Sequence, residues 1–232
     1  MSDPRLICAL DFPTADEARA LTGRLGDAVD FYKVGLQLFA TDGMALARAL
    51  KADGKQVFLD WKLHDIGATV EKAAAALAGS GCDLLTVHAR PQVMAAARKG
   101  AEGSGLKILG VTVLTSLTDA DLTVDDHSLS AADLVALRVR QALDAGIDGV
   151  VSSPHEAAQV RALAEAAGRP DFLIVTPGVR PAGAALDDQA RAATPASALE
   201  AGATHLVVGR PITAAPDPRA AAEAIVQEMA AA

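Results

Sequence analysis

The sequence is short of cysteine, of long apolar runs and of positive charge. Cys8 and Cys82 are its only two cysteines. Their separation matches no metal-binding spacing and both fall in apolar, strand-like context, so buried free thiols in a reducing compartment are expected. No stretch approaches the roughly 18 apolar residues that cross a bilayer. The apolar run from Leu6 to Leu10 is too short for a secretory signal and is followed by Asp11 and Pro13. Basic residues number 21 against 29 acidic ones, a net charge of −8. That balance argues against a general nucleic-acid or anionic-membrane binder. It leaves room for a local basic pocket that takes a phosphorylated small molecule. A nucleophile elbow, a Walker loop and a dinucleotide fingerprint are all missing. His64, His88, His127, His155 and His205 show no ligand spacing, so no metal site is expected, although Asp60 and Asp65 are able in principle to hold Mg²⁺. The expectation is a cytoplasmic protein with neither nucleic-acid nor membrane partners.

What the chain does have is a regular alternation. Short apolar runs, read as strands, cover 5–12, 31–36, 57–63, 84–89, 106–115, 149–152, 172–176 and 205–210. Apolar runs of this kind fit strands buried on both faces, as in parallel sheets. Helical segments separate them, over 16–25, 42–50, 69–79, 92–99, 131–145, 154–167, 195–201 and 218–230, with Thr14 as an N-cap and Thr41 or Asp42 as another. A longer connection is expected over 116–130 and an excursion over 183–193. Strict strand–helix alternation implies a parallel sheet. Eight units in 232 residues favour one (β/α)₈ TIM-barrel domain over residues 1–232 rather than an open doubly wound sheet.

One stretch stands out, Val57-Phe58-Leu59-Asp60-Trp61-Lys62-Leu63-His64-Asp65-Ile66. On a strand Asp60 and Lys62 leave one face, and Leu59, Trp61 and Leu63 the other. Charges on an inward face are tolerated only when paired. A surface ion pair at a loop is the plain alternative. Barrel context decides between them, because active sites of this fold lie at the C-terminal strand ends. Asp11 ends the first strand, Lys33 lies in the second, and Asp60 and Lys62 end the third with Asp65 just beyond. Charges from three adjacent strands converging on one rim point to function.

The last two units suggest a phosphate grip. The seventh strand closes in Thr176-Pro177-Gly178 with Arg180 following, and the eighth in Gly209-Arg210. Loops after strands seven and eight are the usual phosphate site of the fold. Glycines let backbone N–H groups approach an anion, and arginine supplies forked donors. Gln189, in the excursion, is placed to close over a ligand.

Taken together, Ala9-Leu10-Asp11-Phe12, Tyr32-Lys33-Val34-Gly35, Leu59-Asp60-Trp61-Lys62-Leu63-His64-Asp65-Ile66, Val111-Thr112-Val113-Leu114-Thr115-Ser116, Val175-Thr176-Pro177-Gly178-Val179-Arg180-Pro181, Asp187-Asp188-Gln189 and Val207-Val208-Gly209-Arg210-Pro211-Ile212 resemble the orotidine 5′-phosphate decarboxylases, in their bacterial form. The likeness runs in order from Asp11 to Arg210. It departs where the family often has Pro-Asn, since Gly67-Ala68 precede Thr69 here. The resemblance implies a (β/α)₈ homodimer with shared active sites, into which Asp65, Ile66 and Thr69 reach from the partner. It implies that Asp11 and Lys33 contact the ribose, that Thr115 or Ser116 reads the pyrimidine, and that Pro177, Arg180, Gln189, Gly209 and Arg210 line or hold the phosphate end. The implied reaction is loss of CO₂ from orotidine 5′-phosphate to give uridine 5′-phosphate, with no metal or organic cofactor. Lys62 would be the proton donor and Asp60, Lys33 and Asp65 its charged neighbours. Two other readings compete. Mg²⁺-dependent barrel enzymes similar to 3-keto-gulonate-6-phosphate decarboxylase share Asp-x-Lys-x-x-Asp but place Glu where this chain has Lys33, and a lysine there repels a divalent cation. A non-catalytic phosphate binder on a decayed barrel would have been expected to lose Lys62.

Overall fold

The computed structural model describes residues 2–124, 128–181 and 193–232. Eight parallel strands close on themselves in chain order: β1 (Leu6–Leu10), β2 (Phe31–Val34), β3 (Gln56–Leu63), β4 (Leu84–His88), β5 (Lys107–Val111), β6 (Gly149–Val151), β7 (Leu173–Pro177) and β8 (His205–Val208). The helices among the described residues are α1 (Ala15–Leu25), α2 (Leu36–Phe39), α3 (Gly43–Ala52), α4 (Gly67–Ala78), α5 (Pro91–Gly100), α6 (Asp119–Val124), α7 (Ala131–Asp144), α8 (Ala157–Ala166), α9 (Pro195–Glu200), α10 (Arg210–Thr213) and α11 (Pro218–Met229). None is long and apolar enough to cross a membrane. The closed eight-stranded ring with its outer helices is the TIM barrel that the alternation predicts.

Strand periodicity sorts the core into two layers. Ile7, Ala9, Phe31, Phe58, Leu84, Leu109, Val175 and Val207 point inward and plug the barrel. Their neighbours, Leu6, Cys8, Leu10, Tyr32, Val57, Leu59, Leu85 and Leu206 among them, point outward and pack under the helices. Both faces are dry, which is why the strands read as unbroken apolar runs. Burial pushes the Cys8 thiol up to about 12, so it stays protonated and inert.

Element ends follow local chemistry. Thr14 caps α1, its hydroxyl accepting from the Glu17 N–H and donating to the Glu17 carboxylate. Asp42 stands at the start of α3 without a side-chain cap bond. Ser130, Thr194 and Asp217 cap α7, α9 and α11. Three short helices lie where the sequence suggests connection or strand end: α2, α6 and α10. One or two turns carry too little periodicity to read. The fifth strand ends at Val111 rather than Thr115, and the chain beyond it turns to line the barrel mouth. The excursion expected over 183–193 lies outside the described residues except for Ala193. Its flanks meet, because Val179 bridges Ala193 and the Arg180 N–H donates to the Ala193 carbonyl at 3.0 Å.

At the opposite end of the barrel, His205 stands edge-on to Phe31 at 6.0 Å between centroids, with Nδ1 2.9 Å from the Thr204 hydroxyl. Burial first, then the Lys107 charge, lower its pKa to about 4, while Asp3 opposes. The unfolded chain, with histidine near 6.5, therefore binds more protons than the folded one between those values. Stability should fall as pH drops from about 6.5 and level off for this group near 4. Melting curves across that window check it: His205→Gln should lose less stability than wild type between pH 6.5 and 4.

Candidate active site

The C-terminal end of the barrel opens into a cavity of about 500 Å³. Its floor is the top of the inner plug, with Ala9, Phe58, Val111, Val151 and Val207. Four charged side chains alternate in sign along one wall. Lys33 Nζ lies 2.9 Å from Asp11 Oδ1 and 3.5 Å from Asp60 Oδ2, and Lys62 Nζ lies 2.8 Å from Asp60 Oδ1. Lys33 is 8% exposed, so its ammonium is tolerated only because carboxylates stand on both sides. Burial alone would lower the Lys33 pKa, but Asp60 and then Asp11 outweigh it and hold it above the ordinary lysine value. Burial likewise works to raise the Asp60 pKa. Lys33, Lys62 and the Thr86 hydroxyl overcome that and hold it below the usual carboxylate value. Both groups are charged at neutral pH.

Local backbone devices deliver these groups. The β3–β4 register pairs Leu59 with Leu85 and next Leu63 with Val87, so β3 advances four residues while β4 advances two. Asp60, Trp61 and Lys62 thus stand opposite the single residue Thr86, a bulge with two extra residues. Bulges re-aim side chains beside active sites. Lys62 pays for its place with φ of +48°, the only positive φ at a non-glycine residue among those described. For an L-residue that conformation costs roughly 1–2 kcal/mol. Asp60 and Lys62 do share a face, as period two predicts, but a distorted strand presents them. Gly35, just after β2, leaves room for the array: an added Cβ would lie 2.7 Å from Asp11 Oδ1 and 2.9 Å from Lys33 Nζ.

Across the mouth stand Thr115, Pro177, Gly178, Arg180, Gly209 and Arg210. Gly178 has φ of +79°, which a side chain would strain. Arg180 is 7% exposed and donates from Nη1 to the Val179 carbonyl at 3.0 Å. Arg210 opens α10, directly above Gly209. A cavity with an alternating charge wall on one side and two arginines on the other suits a ligand that carries a phosphate at one end and reacts at the other.

The sequence matches the orotidine 5′-phosphate decarboxylase / HUMPS family over residues 4–225. The chain belongs to this family. It is 69% identical over 229 residues to the orotidine 5′-phosphate decarboxylase of Caulobacter vibrioides strain NA1000 / CB15N, covering 99% of this chain and 98% of that one. The Methylobacterium sp. strain 4-46 enzyme of the same name is 58% identical, covering 97% and 95%. The crystal structure of orotidine 5′-phosphate decarboxylase from Lactobacillus acidophilus superposes with a TM-score of 0.83 at 38% identity, covering 98% of this chain and 99% of that one.

Of the positions that the decarboxylase resemblance picks out, Asp11, Lys33, Asp60, Lys62, Thr115, Pro177, Arg180, Gly209 and Arg210 all line the one cavity. Ser116 is exposed and does not line it, so Thr115 is the nearer of the two to a ligand. Asp65, Ile66 and Thr69 are exposed and lie outside it; Asp65 Oδ1 accepts from the Ile66 N–H at 2.6 Å, and Ile66 is 77% exposed. Gln189 lies outside the described residues. Sequence reading missed Thr213, which lines the cavity from α10, and Thr86, which lies beneath the charge wall. Neither belongs to a charged motif, so composition offered no signal for them. Among the described residues no cluster of three or more His, Cys, Asp or Glu is arranged to hold a metal ion.

Proposed function

We infer that this chain decarboxylates orotidine 5′-phosphate to uridine 5′-phosphate and CO₂, the last step of de novo UMP synthesis. Family membership over nearly the whole chain supports the reaction. The observation that carries the mechanism is the Asp11–Lys33–Asp60–Lys62 array beside an arginine-lined mouth.

Loss of CO₂ breaks a carbon–carbon bond and leaves its electron pair on a ring carbon that has no electron sink. The site must stabilise that charge and then protonate it. The Lys62 ammonium serves both ends: it faces the developing carbanion and gives it a proton. The neutral amine left behind regains its proton from water. Asp60 stands by the departing carboxylate, so its repulsion eases as CO₂ leaves. Two like charges ~4 Å apart interact by about 4 kcal/mol at an effective dielectric of about 20. The largest enzymatic accelerations need on the order of 20 kcal/mol. Repulsion is therefore the minor term, and preorganised stabilisation by a held Lys62 is the major one.

Asp11 and Lys33 bind the ribose, Thr115 faces the base, and Arg180 and Arg210 with Gly209 and Pro177 hold the 5′-phosphate, with Gln189 and Ser116 as further contacts. The active unit is a homodimer, with Asp65, Ile66 and Thr69 of each chain entering the other's site. What supports it is the exposed apolar surface of Leu36 and Phe39 on α2 and of Ile66 at the start of α4, each more than half exposed. Surfaces of that kind mark interfaces.

The test is a spectrophotometric assay on orotidine 5′-phosphate with and without EDTA. Rapid, EDTA-insensitive loss of substrate absorbance is expected. EDTA-sensitive turnover would favour the Mg²⁺-dependent branch instead, and tight UMP binding without turnover a binding protein. Arg210→Ala removes a charged hydrogen-bond donor worth about 2 kcal/mol, so kcat/KM should fall roughly 30-fold. An unchanged kcat/KM would remove Arg210 from the phosphate grip.

A further inference from the structure

We propose that Thr86 is a positioning residue of the reaction, its one hydroxyl fixing the Asp60 carboxylate and the Lys62 backbone to each other. Thr86 lies in β4, on the inward face above Leu84, and is fully buried. Its hydroxyl donates to Asp60 Oδ1 at 2.9 Å and accepts from the Lys62 N–H at 3.0 Å.

In β3 the Gln56 N–H donates to the Asp30 carbonyl ahead of β2, while the Val57 carbonyl faces β4, so even-numbered residues turn their N–H groups toward β2. The pairing with β2 ends at Val34 opposite Leu59, so the Lys62 N–H lies beyond it, and inside the bulge it turns to the Thr86 hydroxyl. A buried N–H without an acceptor is costly, and Lys62 already holds a left-handed φ. The Thr86 oxygen is the acceptor that this N–H finds. Its proton is then directed away from Lys62 and onto Asp60, on the same oxygen that receives the Lys62 ammonium. One side chain thus stabilises the unusual backbone of the proton donor and orients the carboxylate that holds its ammonium. Valine has the same shape and can do neither. Serine can do both.

The proposal rests on Lys62 as proton donor, so it needs one readout tied to turnover and one that is not. In Thr86→Val, kcat should fall roughly 30-fold, the loss of about 2 kcal/mol of charged hydrogen bonding. KM and UMP affinity should stay within about twofold, because neither bond reaches the substrate. Thr86→Ser should keep kcat within about threefold of wild type. Independently of turnover, NMR of [4-¹³C]aspartate-labelled protein, with Asp60 assigned through Asp60→Asn, should show Asp60 titrating at higher pH in Thr86→Val. That follows from the loss of a donor to its charged form. Unchanged kcat in Thr86→Val, equal damage in Thr86→Ser, a fall in UMP affinity alongside kcat, or an unmoved Asp60 titration would each overturn it. Should Thr86→Val not fold, a large kcat loss in Thr86→Ser still decides against the proposal. Wild-type protein inactive on orotidine 5′-phosphate, together with a shifted Asp60 titration in Thr86→Val, would sink the decarboxylase reading and keep the Thr86 geometry.

Discussion

Lys62→Ala should abolish turnover while leaving UMP bound. Lys62 is assigned two tasks, and general-acid transfer and electrostatic stabilisation of a developing charge are each worth at least about 10²-fold, so the combined loss should be no less than about 10⁴-fold in kcat. Binding should survive because Arg180 and Arg210 stand across the mouth from the array. The truncation leaves Asp60 with Lys33 and Thr86 as partners, so the carboxylate is not stranded and the fold should hold. Steady-state kinetics with UMP titration by calorimetry make the check. Near-normal turnover would remove Lys62 from the chemistry; lost UMP binding would mean that the lysine shapes the whole pocket instead.

Asp65→Ala should be almost as damaging, yet two inactive proteins should restore each other. If Asp65 acts in its partner's site, a dimer of one Lys62→Ala chain and one Asp65→Ala chain has one site with both lesions and one with neither. Random pairing makes half the dimers mixed, each with one good site of two, so mixing should regain about a quarter of wild-type activity. The subunits must first be dissociated and reassembled together. Recovery near zero, with mixed dimers shown to form, would place Asp65 in its own chain's site or outside the chemistry. The Asp65 position in the isolated chain, exposed and bonded to the Ile66 N–H, is what a residue directed outward requires.

The barrel was legible in the sequence because its strands are buried on both faces and its helices alternate with them without exception. The charge wall was legible for a related reason. Asp11, Lys33, Asp60 and Lys62 are charges at the ends of apolar runs, where only function or pairing explains them. The bulge in β3 was not legible. A period-two reading places Asp60 and Lys62 on one face with or without it, so the pattern carries no trace of the register shift. Thr86 was hidden for the same reason, since a threonine in a strand usually reports β-propensity. Its role appears only once the Lys62 N–H is found on its hydroxyl. Helices α2, α6 and α10 escaped because they run four to six residues, too short for amphipathic spacing to register.

The four charges of Asp11, Lys33, Asp60 and Lys62 sum to zero within one chain. Each carries its counter-charge with it, so the wall balances its own charge without ions from solution. Under the proposed mechanism, that array meets the reacting centre with its charges already held in place by one another. The cost of reorientation that water would impose at the moment of bond breaking was met when the chain folded.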